Sequence, residues 1–139
     1  DLSKIQESGL NINEFITLAS IVEREAVKKE ERPIIAGIFY NRLSIQMPLQ
    51  SCATVQYILK ERKPVLSIAD TKIDSPYNTY LIKGLPPAPI ASPGLDAILA
   101  TSNHQQTKFL YFVAKGDGGH EFSETYEQHL QAKKKYLGE

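Results

Sequence analysis

The chain has 139 residues, enough for one domain whose core requires no disulfide or metal staple. Sixteen Lys and Arg balance sixteen Asp and Glu, and no basic run exceeds Lys133-Lys134-Lys135, which argues against a binder that holds nucleic acid by phosphate neutralisation. Cys52 is the single cysteine, so no internal disulfide forms; no apolar run approaches the roughly 18 residues of a membrane span, and Asp1-Leu-Ser-Lys-Ile5 has no signal-peptide pattern.

Apolar residues recur at helical spacing from Asn13 to about Glu31, through Phe15, Ile16, Leu18, Ala19, Ile21, Val22, Ala26 and Val27, around most of the circumference. This predicts a largely buried helix with Asn11 or Asn13 as N-cap, and Pro33 near its end or opening the next helix. Ile34 to Leu43 repeats the pattern, Gln46 to Ser51 reads as a loop, and Cys52 or Ala53 to Lys60 as a short third helix. Five of the eight prolines then fall between Pro76 and Pro93. Each fixes its own φ and biases the preceding residue toward extended structure, so this segment is stiff without regular hydrogen bonding. Carrying Tyr77, Asn78, Thr79 and Tyr80, it reads equally as a wall for a polar ligand such as a sugar and as a structural crossover whose tyrosines fill core space.

Ser92-Pro93 is a helix-start signal for a helix to about Ser102. Phe109 to Ala114 is the best strand pattern, Gly116-Asp-Gly-Gly119 is the turn that returns it through His120-Glu-Phe-Ser123 as a hairpin, and Ser123-Glu-Thr-Tyr126 caps a final helix to about Leu137. The expected fold is α+β: one domain over residues 1–139, with a helical block, a central Pro-rich loop, a C-terminal β-hairpin and a final helix.

Glu23 and Glu25 lie inside the apolar first helix. At about 100° per residue they point roughly 200° apart, so at most one faces a given cleft, and helical geometry favours neither. A carboxyl against apolar groups has its charged form disfavoured, which leaves it able to donate a proton near neutral pH. The competing reading pairs such a Glu with Arg24, Arg32 or Arg42 at the core edge. His104, His120, His129 and Cys52 show no metal-ligand spacing, so no metal or cofactor is expected. Lys115-Gly-Asp-Gly-Gly119 lacks the context of a phosphate-binding loop, and no nucleophile elbow surrounds Ser51 or Ser123.

Leu18-Ala-Ser-Ile-Val-Glu-Arg-Glu25, Asn41-Arg-Leu43, Met47-Pro-Leu-Gln-Ser51, Tyr77-Asn-Thr-Tyr80, Gly84-Leu-Pro-Pro-Ala-Pro-Ile-Ala-Ser-Pro-Gly94, Tyr111-Phe-Val-Ala114 and Gly118-Gly-His-Glu-Phe122 together resemble the YceG-like family of endolytic murein transglycosylases. The resemblance runs from about Asn13 to the C-terminus, in the family's order. It implies Glu25 as the catalytic residue and Gln50, Ser51, Tyr77, Asn78, Thr79, Tyr80 and His120 as the lining of a glycan cleft. Two departures are visible: Leu49-Gln-Ser-Cys52-Ala-Thr54 stands where members commonly read Leu-Gln-Thr or Ser-Asp-Pro-Thr, and Ala88 replaces a common Gly.

The resemblance further implies a bacterial enzyme on the extracytoplasmic face of the cell membrane. Its substrate would be nascent peptidoglycan strands, its partners would be wall-synthesis proteins, and an upstream membrane anchor and LysM-like domain would lie outside this chain. Protonated Glu25 would donate to the glycosidic oxygen between N-acetylmuramic acid and N-acetylglucosamine. As carboxylate it would then take the proton of the muramyl 6-hydroxyl, which closes a 1,6-anhydro ring. The rivals are a muramidase, which needs a second carboxylate such as Asp70, Asp74 or Asp117, and an inactive peptidoglycan-binding module.

Overall fold

The computed structural model describes residues 2–63 and 65–138. In chain order these form α1 (Leu2–Ser8), α2 (Ile12–Glu25), a 3₁₀ turn (Lys29–Glu31), α3 (Arg32–Ser44), α4 (Cys52–Leu59), a second 3₁₀ turn (Asp70–Lys72), α5 (Leu95–Ser102), β1 (Tyr111–Ala114), β2 (His120–Ser123) and α6 (Tyr126–Leu137). This is the α+β domain that the sequence predicts, with α1 and the two 3₁₀ turns added.

The centre is α2, against which α3, α4 and α5 all pack. Its start is fixed by a reciprocal capping box: the Glu14 amide donates to Asn11 Oδ1 at 2.8 Å and the Asn11 amide to Glu14 Oε1 at 3.0 Å. Leu18, Ile21 and Val22 then enter the core with Ile35, Ala36 and Phe39 of α3 and Leu49 of the following loop. The expected continuation to Glu31 does not occur. Ala26 is extended at φ −99°, ψ 107°, and the helix stops at Glu25. Two forces end it: Arg32 Nε donates to the Ala26 carbonyl at 3.3 Å, and Pro33 in the first turn of α3 suits a new helix start, where its missing N–H costs nothing. Val27, which the periodicity places on the buried face, is 74% exposed because the break takes it out of phase.

The Pro-rich loop lies along α2 rather than looping free. Asn13 Nδ2 donates to the Pro87 carbonyl at 3.1 Å, the Ile90 amide donates to Ser20 Oγ at 3.1 Å, and the Gly94 amide donates to Glu23 Oε1 at 3.0 Å. Polar side chains of the helix thus replace the ladder partners that a proline segment cannot recruit. The last of these contacts also shifts the start of α5, whose N-cap is Gly94 and not Ser92.

The hairpin pairs Tyr111 with Ser123 and Ala114 with His120. Its turn needs φ of +93° at Gly116 and +89° at Gly118, values that glycine adopts without a Cβ penalty. It docks on α3 through an edge-on Phe39–Phe112 contact at 5.9 Å and through Asn41, whose Nδ2 donates to the carbonyls of Thr107 at 2.9 Å and Phe109 at 2.8 Å. The other side of the sheet is covered by α6, which has its own capping box between Thr125 and Gln128.

Where the chain re-crosses α3 before the hairpin, the Gln105 amide donates to the Pro33 carbonyl at 3.0 Å, and a Cβ on Gly37 would collide with the Gln105 backbone carbonyl. Gly37→Ala is therefore expected to destabilise the fold by about 1–3 kcal/mol, as overpacked sites do. Urea unfolding measures it; an unchanged midpoint would show that the crossing has slack.

Candidate active site

Glu25 is the last residue of α2, so its side chain leaves the helix where the backbone turns away. Its carboxyl accepts a hydrogen bond from the Ala53 amide and lies beside the Ser51 hydroxyl; both favour the charged form, but burial outweighs them and raises the pKa from 4.5 to about 7. Ala53 belongs to the first turn of α4, whose amides have no partner within the helix. Ser51 is the N-cap of α4, yet its hydroxyl does not cap it; that oxygen is buried without a conventional partner and faces Glu25. A carboxyl from one helix thus serves the start of another.

The start of α4 is held rigidly. Thr79 Oγ1 accepts from the Ser51 amide at 2.9 Å and shares a hydrogen bond with Thr54 Oγ1 at 2.8 Å, and the Gln50 amide donates to the Thr79 carbonyl at 3.0 Å. Gln50 itself is exposed, with a left-handed φ of +51° that a side chain adopts only under constraint. Asn78 is fully buried beneath this seam: Nδ2 donates to the carbonyls of Thr71 at 3.1 Å and Ile73 at 2.8 Å, and Oδ1 accepts from the Tyr80 amide at 3.0 Å.

Beside the carboxyl, Cys52 Sγ and Tyr80 Oη lie 3.1 Å apart. Burial raises the Cys52 thiol, with the Glu25 charge adding to it; burial likewise pushes the Tyr80 hydroxyl up, helped by Cys52 and Glu25 and opposed by Arg42. Arg42 is 5% exposed and, among the described residues, pairs with no carboxylate: Nε donates to the Leu110 carbonyl at 2.7 Å, Nη1 donates to those of Pro48 at 2.8 Å and Leu49 at 3.2 Å, and the guanidinium lies 5.3 Å from the Tyr111 ring centroid. It pins the loop before α4 to the hairpin.

The residues expected to form one cleft therefore divide. Ser51, Tyr80 and the Gln50 backbone gather near Glu25, whereas Asn78 and Thr79 sit behind it with their side chains engaged by the scaffold. Tyr77 is half-buried, its ring 4.9 Å from that of Tyr57, and lines a depression of about 540 Å³ that abuts Ala53. His120 is held by Glu31, which takes its Nδ1 at 2.8 Å and its amide at 3.0 Å, and no hydrogen bond or ring contact among the described residues joins it to the Glu25 cluster. Glu23 is ion-paired with Arg32 at 3.6 Å and holds the Gly94 amide. Arg42, Cys52 and the Ala53 amide escaped the sequence reading as a set; the one signal was a single Arg in the apolar face of α3. Among the described residues no group of three or more His, Cys, Asp or Glu is placed to hold a metal, and no helix is long and apolar enough to cross a membrane.

The sequence model of the YceG-like family matches residues 2–135. The chain belongs to that family. It is 41% identical over 135 residues to the endolytic murein transglycosylase of Bacillus subtilis, covering 97% of this chain and 38% of that protein. It is 47% identical over 117 residues to the endolytic murein transglycosylase of Streptococcus pneumoniae, covering 81% of this chain and 21% of that protein. The crystal structure of a YceG-like protein from Listeria monocytogenes superposes with a TM-score of 0.86 at 38% identity, over 94% of this chain and 43% of that one. This chain thus spans well under half the length of these relatives.

Because Glu25 binds its proton more tightly folded, at about 7 against 4.5, the folded state holds the extra proton between those values, and stability falls as pH rises through that window. The loss is on the order of 3 kcal/mol once pH exceeds the folded value. Glu25→Gln removes this slope, so its melting temperature is expected to exceed that of the parent at pH 8 and to match it more closely at pH 5; parallel curves would show that the carboxyl is not desolvated. Asn78→Ala, which deletes three buried hydrogen bonds, is expected to cost about 2 kcal/mol or more in a denaturant titration. Unchanged stability with lost activity would move Asn78 into the cleft.

Proposed function

We propose that this chain is the catalytic portion of an endolytic murein transglycosylase in which Glu25 acts first as acid and then as base. One observation carries the reading: a single half-buried carboxyl, its pKa raised to about 7, with an amide donor ready for its charged form. Its protonated form donates to the glycosidic oxygen between N-acetylmuramic acid and N-acetylglucosamine as that bond breaks. Its carboxylate, supported by the Ala53 amide, then removes the proton of the muramyl 6-hydroxyl as that oxygen bonds to C1. The product is a 1,6-anhydro ring, and no water is consumed.

The hydrolytic alternative needs a second carboxylate flanking the bond. Asp70 is bound to Lys63 at 2.6 Å and to the Ser67 amide at 2.9 Å, and Asp117 to the Gly119 amide at 2.8 Å. Among the described residues, the carboxyl whose charge acts on Cys52 and Tyr80 is that of Glu25. The names of the Bacillus and Streptococcus relatives point the same way. Nascent glycan strands outside the cytoplasmic membrane are the expected substrate, with Gln50, Ser51, Tyr77 and Tyr80 nearest the sugars, and wall-synthesis proteins the expected partners.

Digestion of purified sacculi followed by mass analysis tests this. Muramyl ends are expected about 18 mass units lighter than hydrolytic ends, one water, and without label from heavy-oxygen water. Glu25→Gln should abolish cleavage while Glu23→Gln retains most of it. Reducing, labelled ends would replace this reading with a muramidase.

A further inference from the structure

The depression beside Ala53 is lined by the Tyr57–Tyr77 ring pair, Gln56, Ser75 and Ile90, and rimmed by Arg24, Lys60, Glu61 and Arg62. A second depression of about 460 Å³, along the Glu23 side of α2, shares Arg24 and Arg62 with it. Three cations against one carboxylate is a local excess in a chain with no formal net charge.

These cations also differ from their neighbours. Arg32 is neutralised by Glu23 at 3.6 Å and Asp96 at 3.9 Å, Lys29 by Asp96 at 3.3 Å, and Lys63 by Asp70 at 2.6 Å. Among the described residues no carboxylate lies within ion-pair distance of Arg24, Lys60 or Arg62. Charge is thus left unbalanced at the rim of a depression that reaches Ala53, the residue whose amide serves Glu25. Guanidinium groups bind carboxylates through paired N–H donors, and the tilted ring pair offers apolar surface beside them.

We propose that this depression is a subsite for the carboxylate-bearing peptide branch of muramic acid, gripped by Arg24 and Arg62 while the glycan passes Glu25. The inference rests on the murein reading above. While the lactyl carboxyl of each muramic acid is held in its amide bond to peptide, an N-acetylated glycan backbone is uncharged, so the anionic groups on such a strand are the carboxylates of its peptide branches, and a volume of about 540 Å³ admits a short peptide. A subsite of this kind makes the enzyme choose strands that still carry peptides over bare glycan. Binding energy from the branch then holds the strand on the enzyme, which lowers KM.

The test compares cleavage by the full chain of intact glycan strands with cleavage of the same strands stripped by an N-acetylmuramoyl-alanine amidase, which leaves one short lactyl carboxylate on each muramic acid in place of the peptide and its longer-reaching carboxylates. The expected result is a preference of about tenfold in kcat/KM for intact strands, a difference equivalent to about 1.4 kcal/mol. That preference should shrink as salt is raised and fall toward one in Arg24→Gln/Arg62→Gln, through KM rather than kcat. Arg24→Lys/Arg62→Lys, keeping charge without the planar fork, should restore part of it. Equal cleavage of both strands by the parent, or an equal loss on both in the double variant, overturns the subsite. If the parent cleaves neither, the transglycosylase reading falls. Calorimetric binding of a soluble muramyl peptide and of its peptide-free disaccharide to Glu25→Gln then decides the subsite: tighter binding of the muramyl peptide, lost with Arg24 and Arg62, supports it, and equal binding overturns it.

Discussion

The Glu25 carboxyl is drawn partly out of water at the end of α2 and receives in exchange a backbone amide at the start of α4. Withdrawing a carboxylate from solvent is costly, and one amide with one hydroxyl does not offset that cost, so the group binds its proton more tightly. Everything near it serves to keep that exchange in place. The helix must stop at residue 25, which Arg32 and Pro33 enforce from the next element. The first turn of α4 must present its amide there, which Thr79 enforces from the Pro-rich loop. The loop ahead of α4 must not drift, which Arg42 enforces with three carbonyl contacts.

Rigidity here comes from polar groups. Ser51, Thr54, Asn78 and Thr79 are all fully buried; the hydrogen bonds among Ser51, Thr54 and Thr79, and those of Asn78 to the backbone of Thr71, Ile73 and Tyr80, specify one arrangement where an apolar contact would tolerate several. A buried hydroxyl without its partner costs about 1–3 kcal/mol, so a slip of α4 by one residue would be penalised several times over. That precision suits a carboxyl whose chemistry depends on a fraction of an ångström. Prolines stiffen the loop that carries Thr79, and Asn13, Ser20 and Glu23 bind it to the same helix that ends in Glu25. Acid and support therefore move together.

Element types were legible because period and caps are local. The apolar repeat of α2, the Asn11 capping site and the glycine turn of the hairpin each declare themselves within a few residues. The end of α2 was not legible: Ala26 and Val27 continue the apolar period, and only the later Arg32 and Pro33 override it. Nor was the choice between Glu23 and Glu25. Both sit in the same helix with similar apolar neighbours, and the difference is tertiary: Glu23 meets Arg32 and Gly94, Glu25 meets Ser51 and Ala53. The resemblance to a family pointed to Glu25 where periodicity was silent. The buried position of Asn78 was open for the same reason, since a polar residue on a stiff loop serves a ligand or a scaffold equally well until its partners are known.

The balance at Glu25 follows from two opposed influences that act on different forms of one group. Burial stabilises the protonated form, and the Ala53 amide with the Ser51 hydroxyl stabilises the carboxylate. Strengthening burial alone would give a better hydrogen-bond donor that could never act as a base. Strengthening the amide contacts alone would give a carboxylate with no proton to deliver. With a value near 7 both forms are populated at neutral pH, and a group asked to give a proton and then take one back in a single turnover gains from such a midpoint. The helix start supplies its share without a charged partner. A lysine or arginine in place of the amide would pull the value back down, and among the described residues the buried cation, Arg42, is occupied by carbonyl oxygens and the Tyr111 ring.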